Sequence, residues 1–298
     1  MYRILEKTQL SKDVFQMVVE APLIAQERKA GQFIILQIDK DFGERIPLTI
    51  ADADAGRGTI TIIFQAVGRT THLLSEKAVG DELAALVGPL GRPTHIEKFG
   101  TVVCVGGGIG VAPLYPIAQA MKAAGNRLVV IIGARTKDLV IMEDKMRAIA
   151  DELVVVTDDG SYGRKALVTV PLKEFCEQTP PPDLVVAIGP PIMMKFCAKT
   201  TEPYKVKTIV SLNTIMIDGT GMCGGCRVSV GGQTKFVCVD GPEFDGHQVD
   251  FDQMMSRLGA FKPQERAAEA AYEADHACRL QAAADRLVAE QQPRRNVQ

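Results

Sequence analysis

Short apolar–polar alternations fill the first hundred residues. YRILEKT, DVFQMVVE, GQFIILQID and TITIIFQAV each read as a strand, and Gly, Pro and Asp clusters separate them. With no long helix between them, the spacing predicts a small antiparallel barrel over residues 1–97. One short helical patch, RTTHLLSEK, interrupts it. The pattern changes at Gly100. TVVCV is a continuous apolar run, as a parallel strand buried on both faces should be. A helix follows from Val111 to Ala123, then LVVIIGA, a helical DLVIMEDKMRAIA and ELVVVT. DLVVAIG, a helix from Pro191 and VKTIVS complete the alternation. This predicts a doubly wound parallel α/β domain over residues 98–211.

Residues 212–250 break both periods. They are rich in glycine and hold three of the seven cysteines. FDQMMSRLGAF then reads as a short amphipathic piece, and the chain beyond Pro263 is rich in Ala, Glu, Gln and Arg. Residues 251–298 are therefore expected to form a helical tail, packed on the body or docked on a partner. The expected fold class is α/β plus β, in three domains and a tail.

Composition narrows the function classes. A length of 298 residues accommodates two or three domains with proper cores. Hydrophobic residues make up 46% and charged residues 23%, the proportions of a soluble globular protein. A formal net charge of -2 implies neither a nucleic-acid nor an anionic-membrane partner. MYRILEKTQLSKD alternates like a strand and has no apolar core of a signal peptide. No apolar run is long enough to cross a bilayer. Cys104, Cys176, Cys197 and Cys278 are scattered and set no disulfide framework, which points to a reducing cytoplasm.

VVCVGGGIGVAPLYPIA places Gly106, Gly107, Gly108 and Gly110 between a strand and a helix. Glycine allows close backbone approach to a ligand, and the helix start offers unpaired N–H groups to a pyrophosphate. The sequence is neither G-x-G-x-x-G nor a P-loop, since no lysine precedes a Ser or Thr. Outside this strand–turn–helix setting it would read equally as a tight turn or a ligand-binding one. Cys104, inside the strand, reads as a small core residue.

The order of barrel, GGGIGVAPL and α/β half resembles the ferredoxin–NADP reductase superfamily. In that family the barrel holds FAD and the α/β domain a nicotinamide nucleotide. RIPLTI resembles the family's flavin motif. The resemblance implies that Arg45 pairs with the FAD pyrophosphate, that Thr49 donates near flavin N5, and that Pro47 and Leu48 shape the ring pocket. VGRTT resembles the second phosphate site, with Gly68, Thr70 and Thr71 under the pyrophosphate at a short helix N-terminus. VGPLG resembles the barrel's closing turn. The family's Cys-Gly-Pro near the nicotinamide corresponds here to Ile188, Gly189 and Pro190.

Plant-type [2Fe–2S] ferredoxins space their ligands C-x4-C-x2-C…C. Cys223, Cys226 and Cys238 fit the last three positions, and the first is Asp218. An aspartate oxygen can ligate iron and keep the ligand charge. Asp218 could also simply cap the loop. Zinc is the rival metal, although structural zinc usually has two close ligand pairs. A flavoreductase body with such a C-terminal loop is similar to the electron-transfer subunits of dihydroorotate dehydrogenase, which carry four cysteines there. The aspartate resembles the small subunit of NADH-dependent reduced ferredoxin:NADP oxidoreductase, whose relatives include sulfide dehydrogenase subunits.

The resemblance implies an electron-transfer flavoprotein subunit. It exchanges hydride with NAD(H) at FAD and single electrons through a [2Fe–2S] cluster. The partner implied is a larger flavin and [4Fe–4S] subunit with NADPH and ferredoxin chemistry. Electron transfer to a dihydroorotate or sulfide dehydrogenase partner is one alternative, and a zinc-stapled binding module on a reductase fold is another. Adenosine recognition is expected at GARTKD (Ala134 and Arg135) and at Asp158, Asp159 and Gly160. Arg135 and Lys137 would suit a 2′-phosphate; the acids after the next strand disfavour one, so NAD(H) is expected over NADP(H).

Overall fold

The computed structural model describes residues 2–41 and 43–275. Seven strands form the N-terminal sheet: β1 (Tyr2–Ser11), β2 (Val14–Glu20), β3 (Phe33–Gln37), β4 (Arg45–Asp54), β5 (Thr59–Gln65), β6 (Glu82–Leu83) and β7 (Ala85–Leu90). Their order is β6-β1-β2-β5-β4-β3-β7, and each neighbouring pair is antiparallel. The two edge strands, β6 and β7, are separated only by residue 84. The sheet therefore curls until its two edges nearly meet, which is how a small barrel removes its exposed edges. Inward side chains such as Ile4, Met17, Ile34, Ile60, Ile62 and Phe64 fill it. Two helices serve the barrel: α1 (Pro22–Glu27), which the strand pattern does not disclose, and α2 (Arg69–Glu76) on the expected RTTHLLSEK patch. VGPLG departs from expectation: Val87 to Leu90 lie within β7 and pair with β3, so this stretch is a strand rather than a turn.

The second sheet begins with β8 (Thr101–Gly107), followed by α3 (Val111–Ala123), β9 (Arg127–Ala134), α4 (Glu143–Ile149), β10 (Glu152–Thr157), β11 (Arg164–Lys165), α5 (Thr169–Cys176), β12 (Leu184–Ile188), α6 (Pro191–Thr201) and β13 (Thr208–Ser211). Beyond it lie β14 (Arg227–Val230), β15 (Gln233–Phe236), α7 (Val237–Asp240), β16 (Glu243–Asp245) and α8 (Phe251–Leu258). The strand order is β11-β10-β9-β8-β12-β13-β16, parallel throughout except for β16. Chain order reverses between β8 and β12, and that switch point is where open α/β sheets bind ligands. β8 alternates between two cores. Val103 and Val105 pack in one, while Val102 and Cys104 pack in the other with Leu114, Ile117 and Ala118 of α3. Cys104 is fully buried and its thiol is pushed up to about 12 by that burial, which makes it a core residue.

The continuous helix read from DLVIMEDKMRAIA is shorter than its apolar pattern. Ile141 is buried, Met142 takes a left-handed φ of 57°, and α4 starts only at Glu143. A non-glycine residue in that region ends regular helix geometry. The α/β sheet also extends past Ser211 in sequence, because β16 pairs antiparallel with β13 and supplies its seventh strand. Val14, Ala51 and Ile63 of the barrel share a core with α3, and Phe33 and Ile35 share one with Cys226, Val237 and Cys238. The barrel is thus fastened to both downstream units. Residues 262–275 are helical, and Tyr272 stacks on His72 of α2 at 5.3 Å and donates to Glu76 at 2.5 Å. The rest of the expected tail, with Cys278, lies outside the described residues. Among the described residues no helix is long and apolar enough to cross a membrane.

Candidate functional site

Three groups of residues stand at the ends or edges of these elements. The first is the RIPLTI strand. Arg45 opens β4, is exposed, and has no carboxylate partner among the described residues. Pro47, Leu48 and Thr49 are half-buried and pair with Ile35, Ile34 and Phe33 of β3. Gly68 is the N-cap of α2 and has no side chain of its own to cap the first amides of that helix. The Thr71 hydroxyl accepts the amides of Val67 and Gly68 at 3.0 and 3.1 Å. The Thr70 hydroxyl donates to Glu44, so in this conformation that donor is engaged within the chain. A free guanidinium near a strand start and an open helix N-terminus suit a pyrophosphate. These residues fit FAD. Glu44 is the neighbour that sequence reasoning missed; its place directly before Arg45 was the available signal.

The second group lines the sheet's switch point. Gly106 and Gly107 end β8, Gly108 turns with a φ of +55°, and Gly110 is the N-cap of α3. The glycines answer different needs. A Cβ on Gly108 would meet nothing, so conformation requires glycine there; one on Gly110 would collide with the Ile188 carbonyl and stand 2.8 Å from Gly189 Cα. Gly110 therefore lets α3 close against the end of β12. Gly189 and Pro190 follow β12, and Pro190 is the N-cap of α6. A second missed residue, Met193, lies in this crevice. Its Sδ would collide with a Cβ on Gly107 and would stand 2.8 Å from one on Gly189. Its signal was its position one turn into the helix behind Gly189-Pro190.

Further along the same edge, Ala134 ends β9 and Arg135 is exposed beyond it. Asp158, Asp159 and Gly160 are exposed after β10. The two loops are tied together: the Asp158 and Asp159 amides donate to the carbonyls of Ala134 and Arg135, and the Lys137 amide donates to Ser161 Oγ at 2.8 Å. Ser161 in turn donates its amide and hydroxyl to Asp159, which holds that carboxyl below its usual range. Asp159 is thus held as an anionic carboxylate at this edge. The Lys137 ammonium rests 5.6 Å from the centre of the Tyr162 ring.

The third group is the cysteine loop. Cys226 Sγ and Cys238 Sγ are buried and 3.2 Å apart. Cys223 is exposed, and its sulfur accepts the Gly225 amide at 3.4 Å; the Cys226 sulfur likewise accepts the Cys238 amide at 3.4 Å. Asp218 Oδ1 accepts the Thr220 amide at 2.9 Å, and Oδ2 accepts the Cys223 amide at 3.0 Å. These bonds, the Thr220 amide foremost, hold the Asp218 carboxyl below its usual range. Asp218 thus caps the loop in this conformation. Among the described residues no group of three or more His, Cys, Asp or Glu side chains is arranged to hold a single metal ion. The donor chemistry nonetheless fits an iron–sulfur centre. Asp218, Cys223 and Cys226 lie in the loop before β14, the β14–β15 hairpin returns Cys238 of α7 to Cys226, and backbone amides already point at two of the sulfurs. Burial, with the hydrogen bond from Cys226, pushes the Cys238 thiol up, and a bound metal would supply the charge that favours its thiolate.

The loop does not stand apart from the barrel. Gly219 has a φ of +75°, and an added Cβ would stand 2.6 Å from Leu90 Cδ1 and 2.9 Å from Ile35 Cγ1. Ile35 faces Pro47 across the β3–β4 pairing. One residue pair therefore separates the cysteine loop from the RIPLTI strand.

Two of these regions match known families. Residues 213–250 match the iron–sulfur cluster binding domain of dihydroorotate dehydrogenase B, and residues 104–199 match the oxidoreductase NAD-binding domain. A Thermotoga maritima homolog of the dihydroorotate dehydrogenase B (NAD(+)) electron transfer subunit is 48% identical over 263 residues, 88% of this chain and 92% of the relative. The corresponding electron transfer subunit of Streptococcus mutans is 34% identical over 257 residues, 84% of this chain and 97% of the relative. A chain from the solved structure of an NADH-dependent reduced ferredoxin-NADP oxidoreductase, studied for flavin-based electron bifurcation, superposes with a TM-score of 0.85 at 46% identity. It covers 90% of this chain and 96% of that one.

Proposed function

Because the chain belongs to the family of dihydroorotate dehydrogenase B electron transfer subunits, we propose that it carries electrons between NAD(H) and a larger partner subunit. FAD and an iron–sulfur cluster are its resident cofactors. When bound, a nicotinamide gives or takes hydride, an iron–sulfur cluster passes single electrons, and a flavin between them does both.

The chain's own residues bind and orient. Arg45 and the N-terminus of α2, with Gly68, Thr70 and Thr71, take the pyrophosphate of FAD; Thr49, Pro47 and Leu48 line the ring. The turn from Gly106 to Gly110 and the Gly189-Pro190 end of β12 admit the nicotinamide nucleotide. Ala134, Arg135, Asp158, Asp159 and Gly160 meet its adenosine half, and Asp159 selects against a 2′-phosphate. Cys223, Cys226 and Cys238 supply thiolates to a [2Fe–2S] cluster. Asp218 supplies the fourth ligand by releasing the amides that it caps.

The observation that carries this reading is the contact of Gly219 with Ile35, which is paired with Pro47. It brings the loop of one redox group against the strand assigned to the other, a short path through packed protein. The partner follows from the same logic, since a chain that only relays electrons needs a subunit that uses them. An aspartate where the dihydroorotate dehydrogenase subunits carry a fourth cysteine favours a flavin and [4Fe–4S] partner with NADPH and ferredoxin chemistry. A dihydroorotate or sulfide dehydrogenase partner is the second reading. Anaerobic purification tests the cofactor assignment. The expected product is yellow-brown, with FAD equimolar to the chain and iron and sulfide matching one [2Fe–2S] cluster. A colourless protein that holds zinc would overturn it.

A further inference from the structure

A cavity of about 240 Å³ lies away from the sites above. Phe99 before β8, Leu184 at the start of β12, Lys207 before β13 and Met121 late in α3 all line it. These positions stand at the beginnings of the parallel strands, so the cavity opens at the end of the sheet opposite the glycine turn. Its outer wall is the linker from Arg92 to Phe99 together with Asp240 and Glu243.

Its polar groups are unevenly matched. Arg92 is engaged: its Nε donates to the Val239 carbonyl at 3.2 Å and its Nη2 is 3.5 Å from Asp240. His95 is engaged with Glu97 at 3.1 Å. Lys207 has no carboxylate partner among the described residues; its ammonium lies 5.2 Å from the centre of the Phe99 ring. Glu243 takes a hydrogen bond from the Thr94 hydroxyl at 2.5 Å, and among the described residues no cation pairs with it. Gly31 packs beneath, where a Cβ would collide with Thr94 Oγ1 and stand 2.8 Å from Glu243 Oε1. The remaining titratable group facing Glu243 is the neutral thiol of Cys104 on β8. Among the described residues the cavity thus holds a cation and an acid, neither with a counter-charge, beside an apolar wall of Phe99 and Ile209 with Met121, Leu184 and Val186 buried behind it.

We propose that this cavity binds a small amphiphilic carboxylate, its apolar body against Phe99 and Ile209 and its head between Lys207 and Glu243. The volume is below that of drug-sized pockets, about 300–1,000 Å³, so a short aliphatic or single-ring body fits. A carboxylate accepts from the Lys207 ammonium and from the proton of Glu243, and satisfies both with one head group. An amine would satisfy Glu243 but face the charge of Lys207. An alcohol would leave the Lys207 charge unmatched. Burial pushes the Glu243 carboxyl up to about 7, so the proton that the ligand accepts is present below neutral pH and lost above it. Arg92 ties the cavity wall to Val239 and Asp240, in the segment that follows Cys238.

Isothermal titration of the purified holoprotein tests this, with hexanoate and benzoate as probes and hexanol and hexylamine as controls. At pH 6 at least one carboxylate should bind saturably while the controls do not. Affinity should fall roughly tenfold per pH unit above 7, as one proton is lost. Lys207→Met should abolish binding. Glu243→Gln, which keeps a donor and cannot ionise, should bind equally at pH 6 and pH 8.5. Retained flavin absorbance shows that each variant is folded. The proposal is overturned if neither carboxylate binds at pH 6, if Lys207→Met binds as well as the parent protein, or if Glu243→Gln keeps the parent's pH dependence.

Discussion

Gly219 packs directly on Ile35, with room for no side chain between them. Position 219 also requires a positive φ, +75°, so two independent constraints select glycine. Gly219→Ala should cost about 1–2 kcal/mol from the left-handed backbone alone, and its methyl group should push the cysteine loop away from β3. Iron content should fall while the FAD content of the same preparation is unchanged. Full iron occupancy with normal thermal stability would show that the contact is dispensable.

Arg45 is assigned to the FAD pyrophosphate because it is exposed at the start of β4 and has no carboxylate partner among the described residues. Hydrogen bonds to charged groups contribute about 1.5–3 kcal/mol. Arg45→Ala should therefore weaken FAD binding roughly ten- to a hundredfold and leave the cluster in place. Fluorescence titration of the apoprotein with FAD measures this. An unchanged dissociation constant would remove Arg45 from the site.

Asp218 distinguishes loop capping from ligation. Its two oxygens hold the Thr220 and Cys223 amides, and its carboxylate is the candidate for the first ligand position. Asp218→Cys should still bind a [2Fe–2S] cluster, with altered g-values and a shifted midpoint potential, since ligand charge and donor type both set it. Asp218→Ala should lose iron or bind it weakly. If the reduced cluster gives the same EPR spectrum in both variants as in the parent, Asp218 is a cap only.

Much of this was legible before the structure. The buried run TVVCV became β8, and the helix from Val111 to Ala123 has the expected ends. These segments carry long, unbroken periods that tertiary packing reinforces. Other features carry no period. EFD is three residues long and gives no sign that β16 will pair with β13. Met142 has no composition that announces a left-handed backbone. Thr94 and Glu243 meet across 149 positions, and the approach of Met193 to Gly107 depends on how α6 leaves the sheet. The cysteine spacing named the candidate ligands. The present conformation, with Asp218 engaged by amides, could not be read from spacing.

Nucleotide choice should follow Asp159. Its carboxylate is fixed by Ser161 and stays ionised, so kcat/KM should be higher with NADH than with NADPH in a diaphorase assay. Asp159→Asn should narrow that preference by raising kcat/KM for NADPH. A parent enzyme that prefers NADPH would reverse the assignment and move attention to Arg135 and Lys137.

Glu243 should leave a mark on stability. Its folded carboxyl is raised to about 7 from an ordinary 4.5, so the folded state holds a proton that the unfolded state releases first. Stability should fall as pH rises from about 4.5 to about 7 and then level off, a loss of roughly 3 kcal/mol for this group. Glu243→Gln should remove that component from a series of denaturant unfolding curves. Identical pH profiles in parent and variant would show that the carboxyl ionises in the fold without penalty.

The relay itself is tested most directly by an anaerobic NADH titration of the purified chain, followed by visible absorption and low-temperature EPR. NADH should bleach the flavin and produce the signal of a reduced [2Fe–2S] cluster within the same chain, without the partner subunit. A flavin bleached by NADH beside a cluster that only dithionite reduces would contradict electron transfer across the contact of Gly219 with the barrel.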